Sequence, residues 1–314
     1  MAAKFKIAIL GLGGVGGFVG GKLALHYANS DIEVAFIARG ENEKAIKARG
    51  LLLITSQGEE TIHPSIVTSQ PELLGVMDLI VCCSKNFDLE ASIKTLGPCI
   101  SQDTVILPLL NGVDASERIR KLFPQAEIWD GCMYIVSRLV APGIVRVTGN
   151  PHSLYFGSHK GSQQKLKHVE TIFKSAGINA NLSDDISKTV WEKFLFISPL
   201  ATLTSYLDLP IGGIVSNHEY KELLLNLLIE LKNVADAKGL LLPEEIIQKT
   251  MDRMISLPGE TTSSMHSDFK KGGKTEVESL TGYVVHQGKD LNIPTPNYEK
   301  IFAILLAKSN ASVA

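Results

Sequence analysis

The sequence predicts an N-terminal α/β domain built on a doubly wound parallel sheet, followed by an all-α C-terminal domain. In the first half of the chain, short apolar runs alternate with helical patterns, which is typical of a parallel sheet covered on both faces. Beyond about residue 181, every periodic segment has helical spacing and none has strand character. We therefore expect two domains, over residues 1–181 and 182–314, and 314 residues are enough for two cores.

The predicted elements of the first domain are short and closely spaced. The strands are Phe5–Leu10, Ile32–Ala38, Leu79–Cys83 and Val105–Leu109. The helices are Val15–Ala28, Glu41–Ala48, Leu89–Leu96 and Ala115–Leu122. A polar insertion over Leu51–Val67 contains Gln57-Gly58 and indicates a β-hairpin. The strand-rich stretch Ile128–Gly157 is expected to continue the sheet in antiparallel fashion, and Gln164–Ser175 is expected to add a helix.

The second domain shows helical periodicity throughout. The predicted helices are Ser187–Leu207, Asn217–Lys238, Pro243–Ile255, Glu276–Gln287 and Pro296–Lys308. Pro243 suits a first helical turn, and Gly239 suits the end of the preceding helix. The apolar stretch Glu222–Val234 fits either the domain's own core or a second subunit, so periodicity leaves a homodimer open.

Composition and charge point to a globular protein with a small-molecule ligand. Hydrophobic residues make up 45% and charged residues 20%, and the net charge is -2 with both signs mixed, so we expect no nucleic-acid partner. Apolar stretches such as Lys221–Leu231 are too short and too charged to cross a bilayer, and the N-terminus lacks the features of a signal peptide. The cysteines show no C-x-x-C spacing and are expected to be buried free thiols, which favours the cytoplasm.

A glycine-rich turn follows the first predicted strand. Gly11, Gly13, Gly14 and Gly16 lie in the sequence GLGGVG, which has G-x-G-x-x-G spacing and leads into a predicted helix. In a Rossmann-like domain, the first of these glycines permits a tight turn. The second lets the backbone approach a pyrophosphate, and the third lets helix and strand pack closely. Because N–H groups at a helix start attract phosphates, we expect these four glycines to bind a nicotinamide dinucleotide. The alternative is a glycine turn without a ligand.

The second predicted strand ends at Arg39. A site that prefers NAD usually carries Asp or Glu at this position, where a carboxylate accepts hydrogen bonds from the ribose hydroxyls. A guanidinium binds a phosphate in bidentate fashion instead. Arg39 therefore predicts NADPH or NADP as the cofactor. The alternative is that Arg39 is a solvated loop charge and that Glu41 contacts the ribose.

Short motifs recur in a fixed order along nearly the whole chain. After the glycine turn they are Ser84-Lys85, Leu110-Asn111-Gly112, Trp191-Glu192-Lys193-Phe194, Ser263-Ser264-Met265-x-x-Asp268, Lys274-Thr275-Glu276 and Pro296-Asn297. With this order and spacing the chain resembles the ketopantoate reductase (2-dehydropantoate 2-reductase) family. The resemblance implies a Rossmann-like domain followed by a helical domain. It also implies hydride transfer from NADPH to the ketone of ketopantoate, giving pantoate for pantothenate and coenzyme A biosynthesis.

The resemblance also implies roles for single residues. Lys193 matches the lysine that protonates the ketone oxygen, and Glu276 matches the carboxylate that holds the substrate hydroxyl and assists catalysis. Ser264 matches a substrate-binding serine, Asn111 an asparagine between cofactor and substrate, and Lys85 a lysine near the adenosine phosphate. Hydride delivery creates an alkoxide, so the reaction needs a proton donor on that oxygen. A lysine, with a reference pKa of about 10.4, is protonated at neutral pH.

Without the resemblance, both catalytic candidates have ordinary structural interpretations. Lys193 lies in an apolar helix, where a single lysine usually extends to solvent. Glu276 stands among Lys270, Lys271 and Lys274, which is typical of a solvated helix start. The eight histidines show no H-x-x-x-H spacing, and the proposed chemistry needs no metal.

Three positions depart from the family pattern. Ile197, Ala201 and Ile211 stand where the resemblance places asparagines, and their side chains cannot hydrogen-bond a substrate hydroxyl. If the local alignment slips, the polar contributors would instead be Ser198, Thr202 or Thr204. We therefore expect reductase chemistry on a small 2-keto acid, either ketopantoate or another branched or aromatic acid. A third hypothesis is a dinucleotide-sensing protein without turnover.

Overall fold

The computed structural model of the chain describes residues 4–313. Its contacts divide the chain into two units, an α/β unit and a helical unit, which confirms the predicted fold class. The α/β unit contains the chain up to Leu110 together with Asp114–Ile186, and the helical unit contains Asn111–Val113 together with the chain from Ser187 onward. The expected border at residue 181 lies inside the last strand of the α/β unit.

The α/β unit contains eleven strands and five helices among its described residues. In chain order they are β1 Phe5–Leu10, α1 Gly14–His26, β2 Ile32–Ile37, α2 Gly40–Arg49, β3 Leu51–Thr55, β4 Gly58–Ile62, β5 Ile66–Thr68, β6 Leu79–Cys82, α3 Leu89–Lys94, β7 Val105–Pro108, α4 Ala115–Leu122, β8 Glu127–Ile128, β9 Asp130–Ala141, β10 Ile144–Gly157, α5 Gln163–Ser175 and β11 Ala180–Leu182. Short 3₁₀ turns add Pro71–Leu74, Asn86–Asp88 and Gly97–Cys99.

The first sheet is parallel and has the order β5-β2-β1-β6-β7-β8. In this sheet β2 and β5 follow one another on one side of β1, and β6, β7 and β8 follow on its other side. The strand order therefore reverses at β1, and sheets of this kind bind ligands at such a position. The side chains of successive residues of β1 pack in different cores. Ile7 and Ile9 pack in one cluster, while Ala8 and Leu10 pack in a second. Burial of both faces explains why the strand is apolar from Ile7 to Leu10, whereas Lys6 lies at its half-buried start.

The second sheet has the order β11-β10-β3-β4, with β9 paired to β10. The hairpin predicted in Leu51–Val67 is confirmed, since β3 and β4 pair antiparallel. The prediction that Ile128–Gly157 continues the first sheet is wrong, because β9 and β10 belong to this second layer. The reason lies in α1, where Gly17 leaves room for Val145 of β10. A Cβ built on Gly17 would stand 2.4 Å from the Val145 side chain.

The helical unit has no strand among its described residues. Its helices are α6 Ile186–Leu207, α7 Ile211–Val215, α8 His218–Ala237, α9 Ile246–Ile255, α10 Ser264–Lys270, α11 Tyr283–Leu291 and α12 Pro296–Val313, and a π-helical segment, Glu278–Gly282, precedes α11. Gly239 follows α8 with a φ of +83°, as predicted for a helix end. Pro243 precedes α9 instead of opening it, and the short helices α7 and α10 were not predicted.

Most apolar residues of α8 pack in the unit's own core. Those buried are Leu224, Leu227, Leu228, Leu231, Val234 and Ala235. Leu225 and Ile229 remain exposed on the same helix, so the homodimer stays a prediction. Of the helices that the structure describes, none has both the length and the apolar character that a membrane span requires.

The four cysteines form no disulfide. Three of them are buried, and Cys83 is half-buried. Burial raises the pKa of the Cys83 thiol to about 12 and that of Cys82 well above its ordinary value. Because the thiolate is the reactive form, these two groups are inert at neutral pH. A cytoplasmic location stays a prediction.

A buried carboxylate fixes the start of α12. Glu230 of α8 is 7% exposed. Its Oε1 accepts hydrogen bonds from the Asn297 backbone N–H at 3.0 Å and side-chain amide at 2.7 Å, while its Oε2 accepts the Tyr298 N–H at 3.0 Å. Pro296 occupies the first helical position, where an N–H is not needed. The Pro296-Asn297 motif is thus explained by a helix start whose N–H groups are satisfied by a carboxylate.

We expect Glu230→Gln to lower the free energy of unfolding by about 2 kcal/mol, because an amide offers one accepting oxygen and leaves a buried N–H unsatisfied. Chemical denaturation measures the change. Glu222→Gln, at an exposed position of the same helix, is the control and should stay within about 0.5 kcal/mol of the unmodified protein. Equal values for the two variants would show that the carboxylate contributes nothing specific to α12.

Candidate active site

The residues predicted to bind the dinucleotide follow three adjacent strands of the first sheet. The glycine turn follows β1, Arg39 follows β2 and Lys85 follows β6. Since β2 and β6 both pair parallel to β1, their carboxyl ends lie at the same edge of the sheet. The structure thus brings these three groups to the edge where doubly wound sheets bind their ligands.

The structural reason for a glycine differs from one position of the turn to the next. Gly11 has a φ of +91°, and a Cβ there would stand 2.9 Å from the backbone nitrogen of Ser84. A Cβ on Gly16 would lie 1.9 Å from the Gly11 carbonyl oxygen, so Gly16 is required for the close packing of α1 on β1. Around Gly13, in contrast, a Cβ would meet no heavy atom of the described residues within 4 Å. Gly13 is therefore the glycine with open space beside its backbone.

Gly14 was predicted as a cofactor-binding residue, and its position has a packing explanation as well. A Cβ on Gly14 would stand 2.3 Å from the carbonyl oxygen of Ser137, which belongs to β9. This strand lies directly on the first turn of α1. A side chain at residue 14 would displace it.

The start of α1 fits a phosphate group. Gly13 is the N-cap and supplies no side-chain hydrogen bond, and the first turn contains no acidic residue. The first N–H groups of a helix lack acceptors within that helix, and they form the positive end of its dipole. Within the described chain, the buried hydroxyls of Ser84 and Ser137 beside this turn have no hydrogen-bond partner. Together these features match the pyrophosphate of a dinucleotide.

Sequence reasoning gave no role to Ser137, and it cited Ser84 only as part of a motif. The position of Ser84 directly after an apolar strand was a usable signal, because polar groups at that edge often contact ligands. Ser137 had no such signal, since its approach to α1 depends on the second sheet.

Two cationic side chains stand beyond the glycine turn. Arg39 is the N-cap residue of α2 and is exposed, with Nη2 at 3.5 Å from the Ser92 hydroxyl. Lys85 is half-buried and opens the 3₁₀ turn at Asn86. That turn is fixed by Arg118, which donates to the Asn86 carbonyl oxygen at 2.8 Å and binds Glu90 in bidentate fashion at 2.6 and 2.7 Å. Arg118 was missed by sequence reasoning because these partners lie about 30 residues away.

Lys193 is buried in the helical unit. It is 7% exposed, and its Nζ donates to the Asn111 side-chain oxygen at 3.1 Å. The expectation that a lysine in this apolar helix extends to solvent is therefore wrong. Asn111–Val113 groups with the helical unit, where Val113 packs against its core, and Gly112 turns the chain with a φ of +101°.

Glu276 and Ser264 lie in the same unit but in different environments. Glu276 is 3% exposed and directly precedes the turn that leads into the π-helical segment, with its carbonyl oxygen accepting the Leu280 N–H at 3.0 Å. The interpretation of Glu276 as a solvated helix start is therefore wrong. Ser264 is the first residue of α10 and is exposed. Asn111 and Lys193, both predicted site residues, share a hydrogen bond.

Helix α6 holds the π-helical segment through buried hydroxyls. The Ser198 hydroxyl donates to the Leu280 carbonyl oxygen at 2.6 Å, and the Thr202 and Thr281 hydroxyls are 2.8 Å apart. Ser198, Thr202 and Thr204 are all 0% exposed with internal partners. Their hydroxyls are therefore engaged within the unit, and a role for them in place of the family asparagines stays a prediction.

Ile197, Ala201 and Ile211, the apolar residues at the family's asparagine positions, differ in how deeply their side chains are buried. Ala201 and Ile211 are 0% and 1% exposed and belong to the core. Ile197 is half-buried and lies one helical turn after Lys193. Of these three, Ile197 is the one whose side chain is not fully buried, and it packs against the same core.

The parallel sheet order, the glycine turn after β1 and the buried lysine of a separate helical unit together define a Rossmann-type dinucleotide-dependent oxidoreductase. Residues 7–161 match the family model described as Ketopantoate reductase PanE/ApbA, and residues 185–309 match Ketopantoate reductase PanE/ApbA C terminal. The two matches cover most of the chain. The chain belongs to the ketopantoate reductase family.

Individual relatives agree along the full length. The Uncharacterized oxidoreductase YkpB of Bacillus subtilis (strain 168) is 27% identical over 301 residues, which cover 96% of this chain and 97% of YkpB. The crystal structure of 2-dehydropantoate 2-reductase from Porphyromonas gingivalis W83 is 35% identical with a TM-score of 0.84, covering 96% and 99% of the two chains. The family resemblance drawn from the motifs is confirmed.

A third relative carries a different name. The ternary structure of D-mandelate dehydrogenase with NADH and anilino(oxo)acetate is 25% identical with a TM-score of 0.88, covering 99% of this chain and 100% of that one. The relatives therefore establish an oxidoreductase of this family, while their names include more than one substrate.

We expect Gly13→Ala and Gly16→Ala to act in different ways. The methyl group of Gly16→Ala meets backbone at 1.9 Å, so this variant should lose about 2 kcal/mol of stability or more. Gly13→Ala adds a methyl group in open space, so the stability should change by less than about 0.5 kcal/mol. The same methyl group obstructs the approach of a pyrophosphate and should weaken dinucleotide binding about tenfold.

Thermal denaturation and fluorescence titration with NADPH and NADH measure the two effects. A folded Gly13→Ala variant with unchanged affinity for both dinucleotides would contradict the assignment of this turn.

Proposed function

We propose that the protein reduces 2-dehydropantoate (ketopantoate) to pantoate with NADPH, and that it does so in the cytoplasm as a step of pantothenate and coenzyme A biosynthesis. The observation that carries the proposal is the buried Lys193 ammonium group, held 3.1 Å from the amide oxygen of Asn111. Family membership and the 2-dehydropantoate 2-reductase from Porphyromonas gingivalis, 35% identical, support the choice of substrate.

The dinucleotide, when bound, supplies the hydride that is added to the ketone carbon. The ketone oxygen then gains negative charge, and Lys193 stabilises that charge by hydrogen bonding and donates the proton. Asn111 fixes one of the three N–H directions of the ammonium group and so orients it. Burial strengthens the interaction between the ammonium group and the developing charge, because water does not screen it.

Two further side chains are proposed to bind the carboxylate and the hydroxyl group of the substrate. In the proposed complex the exposed Ser264 hydroxyl binds the carboxylate, and the buried Glu276 carboxylate holds the substrate hydroxyl and assists catalysis. Both assignments rest on the family motifs in which these residues stand.

NADPH is proposed over NADH because of Arg39. Its exposed guanidinium follows β2, where the adenosine ribose of a bound dinucleotide lies, and Lys85 adds a second positive charge at the same sheet edge. The alternative ligand of the ribose, Glu41, is paired with Lys44 at 2.8 Å and is 74% exposed. A carboxylate engaged with a lysine on the surface is a weaker partner for ribose hydroxyls than an unpaired acidic residue at the strand end.

A second candidate substrate is another branched or aromatic 2-keto acid. Ile197 favours it, because the half-buried isoleucine one turn after Lys193 offers contact to an apolar group and no hydrogen bond to a hydroxyl. The D-mandelate dehydrogenase structure with anilino(oxo)acetate shows an aromatic oxo acid in a relative with 25% identity. The third hypothesis, a sensor without turnover, leaves the buried Lys193 without a role.

An absorbance assay at 340 nm, a general wavelength for NADPH oxidation, would separate these candidates if it compared ketopantoate with 3-methyl-2-oxobutanoate and phenylglyoxylate. A kcat/KM for ketopantoate about tenfold or more above the others supports the proposed reaction. The reverse order supports the second candidate, and dinucleotide binding without turnover supports the sensor.

We expect Lys193→Met to lower kcat by at least ~10²-fold, because it removes the proton donor and fills a similar volume. Lys193→Ala should have the same effect. Lys300→Ala, at an exposed position of α12, is the control and should leave kcat unchanged. A near-normal kcat in a folded Lys193→Met variant would remove Lys193 from the mechanism.

We expect Arg39→Ala to raise the Kd of NADPH about tenfold and to leave that of NADH nearly unchanged, because NADPH alone carries the phosphate that the guanidinium binds. Titration with both dinucleotides measures the effect, and Lys44→Ala on the same helix is the control for lost surface charge. An equal loss for NADPH and NADH would overturn the preference.

A further inference from the structure

A hydrogen-bonded chain of three side chains joins the end of α6 to the segment before α10. His266 is 3% exposed, its Nε2 is 2.6 Å from Asp208 Oδ1, and its Nδ1 is hydrogen-bonded to the Thr262 hydroxyl. Asp208 directly follows α6 and has a φ of +54°, an uncommon conformation for a residue other than glycine. The function described above uses none of these three residues.

The direction of the hydrogen bond between His266 and Asp208 follows from the groups involved. His266 holds the pKa of the Asp208 carboxyl below its usual value, with Lys270 as a weaker cause. Asp208 is therefore an ionised acceptor at neutral pH, so Nε2 of His266 carries the hydrogen. The other ring nitrogen, Nδ1, is hydrogen-bonded to the Thr262 hydroxyl.

A second chain fixes the neighbouring residue to α6. The Thr204 hydroxyl donates to the Leu200 carbonyl oxygen at 2.7 Å, so the Ser263 hydroxyl, 2.9 Å away, donates to Thr204. Ser263 Oγ in turn accepts the backbone N–H of His266 at 3.0 Å. Thr262 and Ser263 are thus tied to α6 at adjacent positions, and the next residue is the exposed Ser264.

We propose that His266, held by Asp208 and Thr262, is a positioning residue that sets the Ser264 hydroxyl for the carboxylate of a 2-keto acid. The inference rests on the proposed function, in which Ser264 binds that carboxylate. Its physical reason is the shape of the substrate. The carboxylate and the ketone of a 2-keto acid are on adjacent carbons, so their two protein partners need a fixed spacing. Lys193 is part of α6, and the two hydrogen-bonded chains fix the segment of Ser264 to that same helix.

Steady-state kinetics of Thr262→Val test this proposal, because valine keeps the shape of threonine and lacks the hydroxyl. We expect the KM of the 2-keto acid to rise about tenfold, with kcat within about twofold and the KM of NADPH unchanged, as for a loss of ground-state binding. Thr262→Ser should restore the KM. Asp208→Ala, which removes the acceptor of the His266 Nε2 hydrogen bond, should also raise it.

A double-mutant cycle shows whether Thr262 acts through Ser264. Ser264→Ala alone should raise the KM, and adding Thr262→Val should raise it no further, because the residue being positioned is already gone. A double variant whose losses multiply would overturn the proposal. So would an unchanged KM in Thr262→Val, or a loss in Thr262→Ser as large as in Thr262→Val.

Calorimetric binding of ketopantoate in the presence of NADP separates this inference from the proposed reaction, since the oxidised dinucleotide has no hydride to transfer. If the wild type binds this acid without turning over any acid with NADPH, the proposed reaction fails, and the Kd values of the same variants decide the role of His266. Absence of binding in the wild type would overturn both.

Discussion

The hydrogen bond between the Lys193 ammonium group and the Asn111 amide oxygen is the interaction on which the site depends. A buried charge is costly unless a polar group compensates it, and such a group is rarely kept in an apolar helix for stability alone. The side-chain oxygen of Asn111 compensates the Lys193 amine at a distance of 3.1 Å, although the two residues lie far apart in the sequence. The helical unit therefore holds the Lys193 side chain in a buried, hydrogen-bonded position, and the carbonyl reduction that we propose would use it as the proton donor.

Helix α6 is the common scaffold for the groups of the helical unit. It carries Lys193, and its Ser198 and Thr202 hold the π-helical segment that follows Glu276. Tyr298 joins the same network, since its hydroxyl is 2.8 Å from that of Ser198, and burial raises the pKa of its phenol. These buried hydroxyls fix the backbone of the segment that follows Glu276. π-helical turns are frequent at functional sites, and this one has identifiable anchors.

Local patterns predicted the elements of the fold well, and non-local contacts explain what they missed. The strand Phe5–Leu10 and the helix Ala115–Leu122 have the predicted bounds, because apolar runs and turn residues determine them locally. The sheet assignment of Ile128–Gly157 failed, because it depends on the contact of Val145 with a glycine of α1. Similarly, the apolar surroundings of Lys193 predicted a solvated lysine, since its compensating partner lies 82 residues away. The family motifs identified this residue where periodicity did not.

The proposed recognition of a 2-keto acid would be divided between two kinds of residue. The groups proposed for the ketone and the carboxylate are attached to a buried hydrogen-bonded framework around α6, in which each member constrains the next. Ile197 lies on that helix without a polar atom in its side chain, so it is outside this framework. A substitution at residue 197 can change which substrate side chain is accepted while the framework persists, because apolar contacts are less coupled than buried polar networks. Under the proposed function, the neighbourhood of Ile197 is where we expect the substrate side chain to be selected.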